Sequence, residues 1–285
     1  MSSVSGFETL IALSSPAPGP GRPPPIAIPI YGPLFYIGYL CVIWAFNVSM
    51  HRRLAMLPQS SRASALHIWI AHLFLAAGDT ATFLSLLAAF LSGQGLLIEP
   101  ERSFPVVLAG IFTNSLTMSC YYLFLAFYHR NKHKHGKNDF VMWIVFAAFA
   151  IRFALHYHPG NVWAAFAFGK GGPNYSAWLR NAPLFVYGPL VVVSILVSAL
   201  SRAHAGETLG ERKQRKWLVV SMSALLASFL FYGLDIFFSH AIATWMIWTT
   251  YIVKTSAYVV ALIAIWYAEF DLPTRSRAVE LALAS

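Results

Sequence analysis

Long apolar runs separated by short charged gaps dominate this sequence from Pro33 onward. A run of about 20 such residues is long enough to cross a bilayer as a helix. Inside lipid the backbone must satisfy its own hydrogen bonds, which leaves helices or closed barrels. The weak two-residue alternation of a membrane barrel is absent, so the chain reads as all-α, a polytopic seven-transmembrane-helix bundle. The spans are expected at Pro33–Met50, Leu66–Ser92, Pro105–Tyr128, Phe140–Tyr157, Pro183–Ser201, Trp217–Ser239 and Ile242–Ala268. Only 11% of the 285 residues are charged, against about 25% in a soluble domain. No sizeable soluble domain can be cut from the remainder. Residues 1–29 read as a disordered Pro-rich tail without a signal peptide, 30–270 as the transmembrane domain, and 271–285 as a short C-terminal tail.

The formal charge of +9 would suggest a nucleic-acid partner in a soluble protein. Here the excess sits in short loops, where it reports topology and contact with a lipid bilayer. The loops after spans one, three and five carry Arg52, Arg53 and Arg62; Arg130, Lys132, Lys134 and Lys137; and Arg202, Arg212, Lys213, Arg215 and Lys216. The tail adds Arg275 and Arg277, while the opposite side has Arg22, Arg102, Lys170 and Arg180. The positive-inside rule then places the N-terminus outside and the C-terminus in the cytosol. The membrane is the endoplasmic reticulum in a eukaryote and the plasma membrane otherwise. Cys41 and Cys120 both fall in apolar spans, which argues against a disulfide framework. The aromatic-rich outer loop, residues 158–182, reads equally as a lid over the bundle or as an interfacial belt.

Four ionisable residues fall inside spans: Asp79, Arg152, Asp235 and Lys254. A charge at the bilayer centre is costly, so each is a functional candidate. At about 1.5 Å per residue, Asp79 and Lys254 come to similar depth near the midplane, and Asp235 and Arg152 to similar depth near the outer end. Two acids against two bases is also what register-fixing ion pairs would require. Polar neighbours on the same faces argue for more: His72 lies seven residues before Asp79, Asn114, Thr117 and Tyr121 form one stripe, and Tyr251, Lys254 and Tyr258 form another. Tyr232 and Trp248 belong to an aromatic wall beside them.

Several membrane chemistries fit poorly. Lys254 in the seventh span suggests a retinal Schiff base with Asp79 as counter-ion, yet its flanking residues match no rhodopsin signature. Tyr128-His129-Arg130 is a poor match to the receptor motif that ends a third span. His129 and His133 have metal-ligand spacing but lie in a lysine-rich loop, and three zinc ligands do not assemble, so neither metal nor cofactor is expected. Transport would call for an inverted repeat or broken helices, which are not evident.

Acid–base chemistry on a lipophilic small-molecule substrate remains. Desolvation favours a carboxyl's neutral form, which can serve as a general acid, and aromatic rings attract developing positive charge. Asp79 is the first choice for the acid and Asp235 the second, with Lys254 and Arg152 tuning them or binding polar substrate groups. His72, Asn114, Tyr121, Tyr232, Trp248, Tyr251 and Tyr258 would line the substrate. The alternative class is a seven-helix sensor or transporter in which the same charges form a gate.

Gly78-Asp79-Thr80, Arg180-Asn181-Ala182-Pro183 and Lys254-Thr255-Ser256-Ala257-Tyr258 resemble blocks shared by uncharacterised microbial multi-pass membrane proteins. In those, a histidine and a Pro-Arg pair follow the Gly-Asp pair, where this chain has Thr-Ala-Thr-Phe-Leu. In size, span count and intramembrane acids the chain is similar to the small membrane-bound terpene cyclases of fungal meroterpenoid pathways, the ascofuranone/ascochlorin type. That similarity implies metal-independent, protonation-triggered cyclisation of an epoxidised prenyl chain on an aromatic head.

Overall fold

The computed structural model describes residues 31–93, 100–133, 140–157, 175–201, 207–238 and 244–284. The tail expected over 1–29 and most of the outer loop lie outside them, and so do the side chains of Asn114, Tyr232, Asp235, Trp248 and Tyr251. The described residues are all-helical: α1 (Tyr31–Leu54), α2 (Gln59–Gly93), α3 (Pro100–His133), α4 (Phe140–Tyr157), α5 (Tyr175–Ser201), α6 (Leu209–Phe238) and α7 (Thr244–Trp266). A π-helical turn (Tyr267–Asp271) then leads into α8 (Leu272–Ala284).

Each expected span coincides with one helix, and α4 has the expected bounds. Helix α5 starts well before Pro183, the expected first residue, and carries both Pro183 and Pro189 inside it. A proline removes one backbone donor and crowds the carbonyl four residues back. Neighbouring helices can re-satisfy the freed groups, so such prolines are tolerated in a bundle of this kind.

The helices pack as a closed ring. Helix α2 runs along α1 and α3, α3 meets α4 and α5, α5 meets α6, α6 runs along α7, and α7 returns to α1. Inside, Ile43, Ile68, Leu125, Leu184, Ile195 and Met222 are fully buried. The outer surface is also apolar, with large exposed side chains such as Trp44, Leu84, Trp143, Val197, Leu230 and Val260 on α1, α2, α4, α5, α6 and α7. Apolar surface on this scale, on both inside and outside, fits a lipid environment rather than water. Three segments, Leu34–Leu54, Pro183–Ser201 and Ile252–Ala278, are long and apolar enough to cross a membrane.

Glycines mark one close approach. A Cβ on Gly188 would meet Phe229 Cε2 at 2.8 Å, while one on Gly38 would meet nothing within 4 Å. Phe229 is wedged between Tyr122 and Phe185, its ring centroid 5.6 and 5.0 Å from theirs, so it has little room to yield. Gly188→Ala should therefore destabilise by about 1–3 kcal/mol through overpacking. Gly38→Ala should stabilise by about 0.5–1 kcal/mol through helix propensity. Thermal unfolding of the two purified variants tests the contrast, and equal shifts would refute it.

Helix α6 opens with a capping box. The Glu211 amide donates to Thr208 Oγ1 (3.2 Å), and the Thr208 amide and hydroxyl donate to Glu211 Oε2 (2.9 and 2.8 Å). Reciprocal bonds of this type satisfy donors that the first helical turn leaves open. They also hold the Glu211 carboxyl below its ordinary value, the Thr208 backbone bond contributing most. The folded value is depressed, so the stabilisation is present above the unfolded value and is lost as pH falls through the folded one. Amide protection factors in the first turn of α6, taken against the intrinsic exchange rate at each pH, should fall on acidification in the native chain but show no such step in Glu211→Gln.

Candidate functional site

Asp79, in the middle of α2, is buried. The Tyr39 hydroxyl on α1 donates to its Oδ2 at 2.6 Å. A donor this close to one carboxyl oxygen stabilises whatever negative charge that oxygen carries. The helices are pinned beside it. Asn47 Nδ2 donates to the carbonyls of Ile43 (2.9 Å) and His72 (3.3 Å), and Trp44 Nε1 donates to Thr80 Oγ1 (3.0 Å). Each such bond crosses between α1 and α2 or turns a polar group back onto its own helix, as polar residues in membrane bundles commonly do.

Aromatic rings pack around the Tyr39 donor and His72. Tyr36 packs edge-on against Tyr39 at 5.7 Å and stacks on Phe83 at 5.8 Å. Tyr258, on α7, meets Tyr39 at 6.2 Å, Tyr121 at 6.4 Å and His72 at 6.3 Å. Tyr121, on α3, meets His72 edge-on at 5.3 Å and continues through Tyr122 at 5.0 Å to Tyr187 on α5 at 6.3 Å. Centroid separations of this size are those of attractive aromatic pairs.

His72 Nδ1 lies 2.9 Å from the carbonyl oxygen of Ile68. A carbonyl only accepts, so Nδ1 carries the hydrogen and a neutral ring presents its lone pair at Nε2. His72 and Asp79 are seven residues apart on α2, two turns along the same face, or roughly 10 Å at about 1.5 Å per residue.

The structure thus brings together Asp79, His72, Tyr121 and Tyr258 from the expected site. Lys254 sits one turn before Tyr258, half-buried, and its carbonyl accepts the Ser228 hydroxyl at 2.9 Å. Arg152 is fully buried on α4, beside Tyr187. The expected roles of Asn114, Tyr232, Asp235, Trp248 and Tyr251 fall on side chains outside the described set. The sequence reading omitted Tyr39 and Tyr36; their three-residue spacing in span one put two phenols on one face, the available signal.

A second polar cluster was also missed. Span seven was expected to end at Ala268, but the π turn beyond it buries Ala268, Glu269, Phe270 and Asp271 in succession. Four consecutive buried residues require cover on every side, and α1, α2, α6 and α8 all touch this turn. Glu269 Oε1 accepts from the Tyr128 hydroxyl (3.0 Å), Gln214 Nε2 (3.4 Å) and the Lys132 ammonium, with which it forms an ion pair. Asp271 is paired with Arg53 (2.7 Å) and Arg275 (2.8 Å). Arg53 also lies over the Trp266 ring, whose Nε1 donates to Ser49 Oγ. Two buried acids therefore tie together the ends of α1, α3, α6, α7 and α8.

No protein-family model, curated protein or solved structure matches this chain.

Proposed function

We propose that the chain is a seven-span membrane protein, N-terminus outside and C-terminus in the cytosol, that isomerises an epoxidised prenylated substrate by acid-triggered cyclisation. The orientation is supported by the Lys/Arg count, and the multi-pass reading by the closed ring of seven helices with an apolar exterior. The observation that carries the chemistry is the 2.6 Å bond to a buried Asp79 from Tyr39, whose ring packs against Tyr36 and Tyr258.

Protonated Asp79 gives its proton to the epoxide oxygen, and the negative charge left on the carboxylate is held at Oδ2 by the Tyr39 hydroxyl. The C–O bond breaks as an alkene of the same chain attacks the carbon, forming a ring and moving the cation along the chain. Tyr39, Tyr121 and Tyr258 offer π-faces to that cation, and a site closed to water protects it from quenching. His72 Nε2 removes a proton from the carbon next to the final cation, leaving an alkene. Return of that proton from the imidazolium to Asp79 restores both groups, so the product is an isomer of the substrate. The similarity to meroterpenoid terpene cyclases is of the same kind and supports the same reaction class.

The test is to incubate membranes containing the full chain with a farnesylated phenol bearing a terminal epoxide. A product of unchanged mass, in which the epoxide has become an alcohol and one new ring with the number of alkenes unchanged, absent from control membranes, is expected. Epoxide recovered intact, or hydrolysed to a diol, would overturn this reading.

A further inference from the structure

Asp271, near the α1–α2 turn, is taken up by Arg53 and Arg275, which leaves two further arginines at the turn without a carboxylate among the described residues. Arg62 uses only Nη2, donating to the carbonyls of Ala55 (3.1 Å) and Leu57 (3.3 Å). Arg277, on α8, uses only Nη1, donating to the carbonyls of Met56 (2.9 Å) and Leu57 (3.0 Å). Both guanidinium groups thus converge on the Leu57 carbonyl. Among the described residues neither has a carboxylate within ion-pair distance. Arg53 and Arg275 share the single carboxylate of Asp271, and the Arg275 side chain is 70% exposed even so. Arg52 is exposed one position away. Met56, in the turn itself, is 55% exposed.

From this geometry we infer that the turn between α1 and α2, together with α8, forms a binding site for the phosphate of an anionic phospholipid headgroup. Arginine forks match phosphate oxygens two at a time. Carbonyl anchoring fixes the two forks in advance and leaves their remaining N–H groups to an external acceptor. The cluster lies on the Lys/Arg-rich face, where the membrane surface would sit, and the exposed Met56 in the same turn suits the acyl side of such a headgroup. A free phosphate would satisfy the forks but gain nothing from Met56. The inference rests on the membrane reading above and not on any chemistry at Asp79, so loss of one leaves the other standing.

The experiment uses the purified full chain in phosphatidylcholine nanodiscs. Binding is measured for dioctanoyl phosphatidic acid, dioctanoyl phosphatidylcholine and inorganic phosphate. Saturable binding of phosphatidic acid alone is expected, weakened at least tenfold in Arg62→Gln/Arg277→Gln and within twofold of native in Lys213→Gln/Lys216→Gln, two exposed lysines on α6 of the same face. Should the glutamine pair not fold, Arg62→Lys/Arg277→Lys keeps the charge, removes the forks and is expected to weaken binding severalfold. Equal loss in the lysine control would mean diffuse charge and overturn the site. Inorganic phosphate binding as tightly as the lipid, or no saturable binding, would overturn it as well.

Discussion

Asp79→Asn is expected to give a protein that inserts and purifies like the native chain but turns over the epoxide probe at least about 100-fold more slowly. Asparagine keeps the shape of aspartate, and its carbonyl oxygen still accepts the Tyr39 hydroxyl, so the α1–α2 contact survives. What it lacks is a transferable proton, and a positioned general acid contributes roughly 10²–10⁴ in rate. Tyr39→Phe separates positioning from proton supply. It removes the donor that holds charge at Oδ2 (2.6 Å) while leaving the ring against Tyr36 and Tyr258. A hydrogen bond to a charged group is worth about 1.5–3 kcal/mol, so its rate should fall roughly 10- to 150-fold. His72→Ala, with the acid intact, should still consume the epoxide but trap or misdirect the cation, changing the product spectrum. The measurement is product formed per mole of folded protein. Full activity in Asp79→Asn would remove Asp79 from the mechanism. A protein that fails to fold in Asp79→Asn would give the residue a packing role instead.

Glu269→Ala should be the most damaging single change to stability, lowering it by about 3–5 kcal/mol, the usual consequence of removing one partner of a buried ion pair. The Lys132 ammonium, the Tyr128 hydroxyl and the Gln214 amide all lose the same acceptor atom. Lys132 retains some access to water, with 19% of its side chain exposed, which places the effect nearer the lower bound. Lys132→Met/Glu269→Met should recover most of the loss, since well-packed apolar replacements of a buried pair are often neutral or better. Thermal unfolding in detergent reads both. A double variant as unstable as the single one would show that Tyr128 and Gln214, not the ion pair, carry the energy.

The helices were legible because each apolar run is long and its gaps are short and charged, two signals that agree at every loop. Their ends were less so. Pro183 looked like a start because proline usually opens a helix, and nothing local shows that residues before it continue the helix. The site was half legible. His72, Asp79, Tyr121 and Tyr258 announce themselves as polar groups on shared helical faces. The bond from Tyr39 to Asp79 spans forty positions and two helices, and no spacing rule reaches that far. Glu269 and Asp271 were passed over because acids at the end of an apolar run look like the return to solvent. Only the π turn, which has no sequence signature here, folds them inward onto bases from distant helix ends.

That inward turn has a consequence for assembly. Arg53, Lys132 and Gln214 are translated long before the carboxylates that neutralise or bond them, and Tyr128 waits for the same late acceptor. A chain that ends before the seventh helix therefore lacks the two acids with which Arg53, Lys132, Gln214 and Tyr128 are bonded in the full chain. Both acids arrive on one short segment after the seventh helix, so a chain halted before that segment should leave the ends of α1, α3 and α6 without the contacts that join them in the full chain.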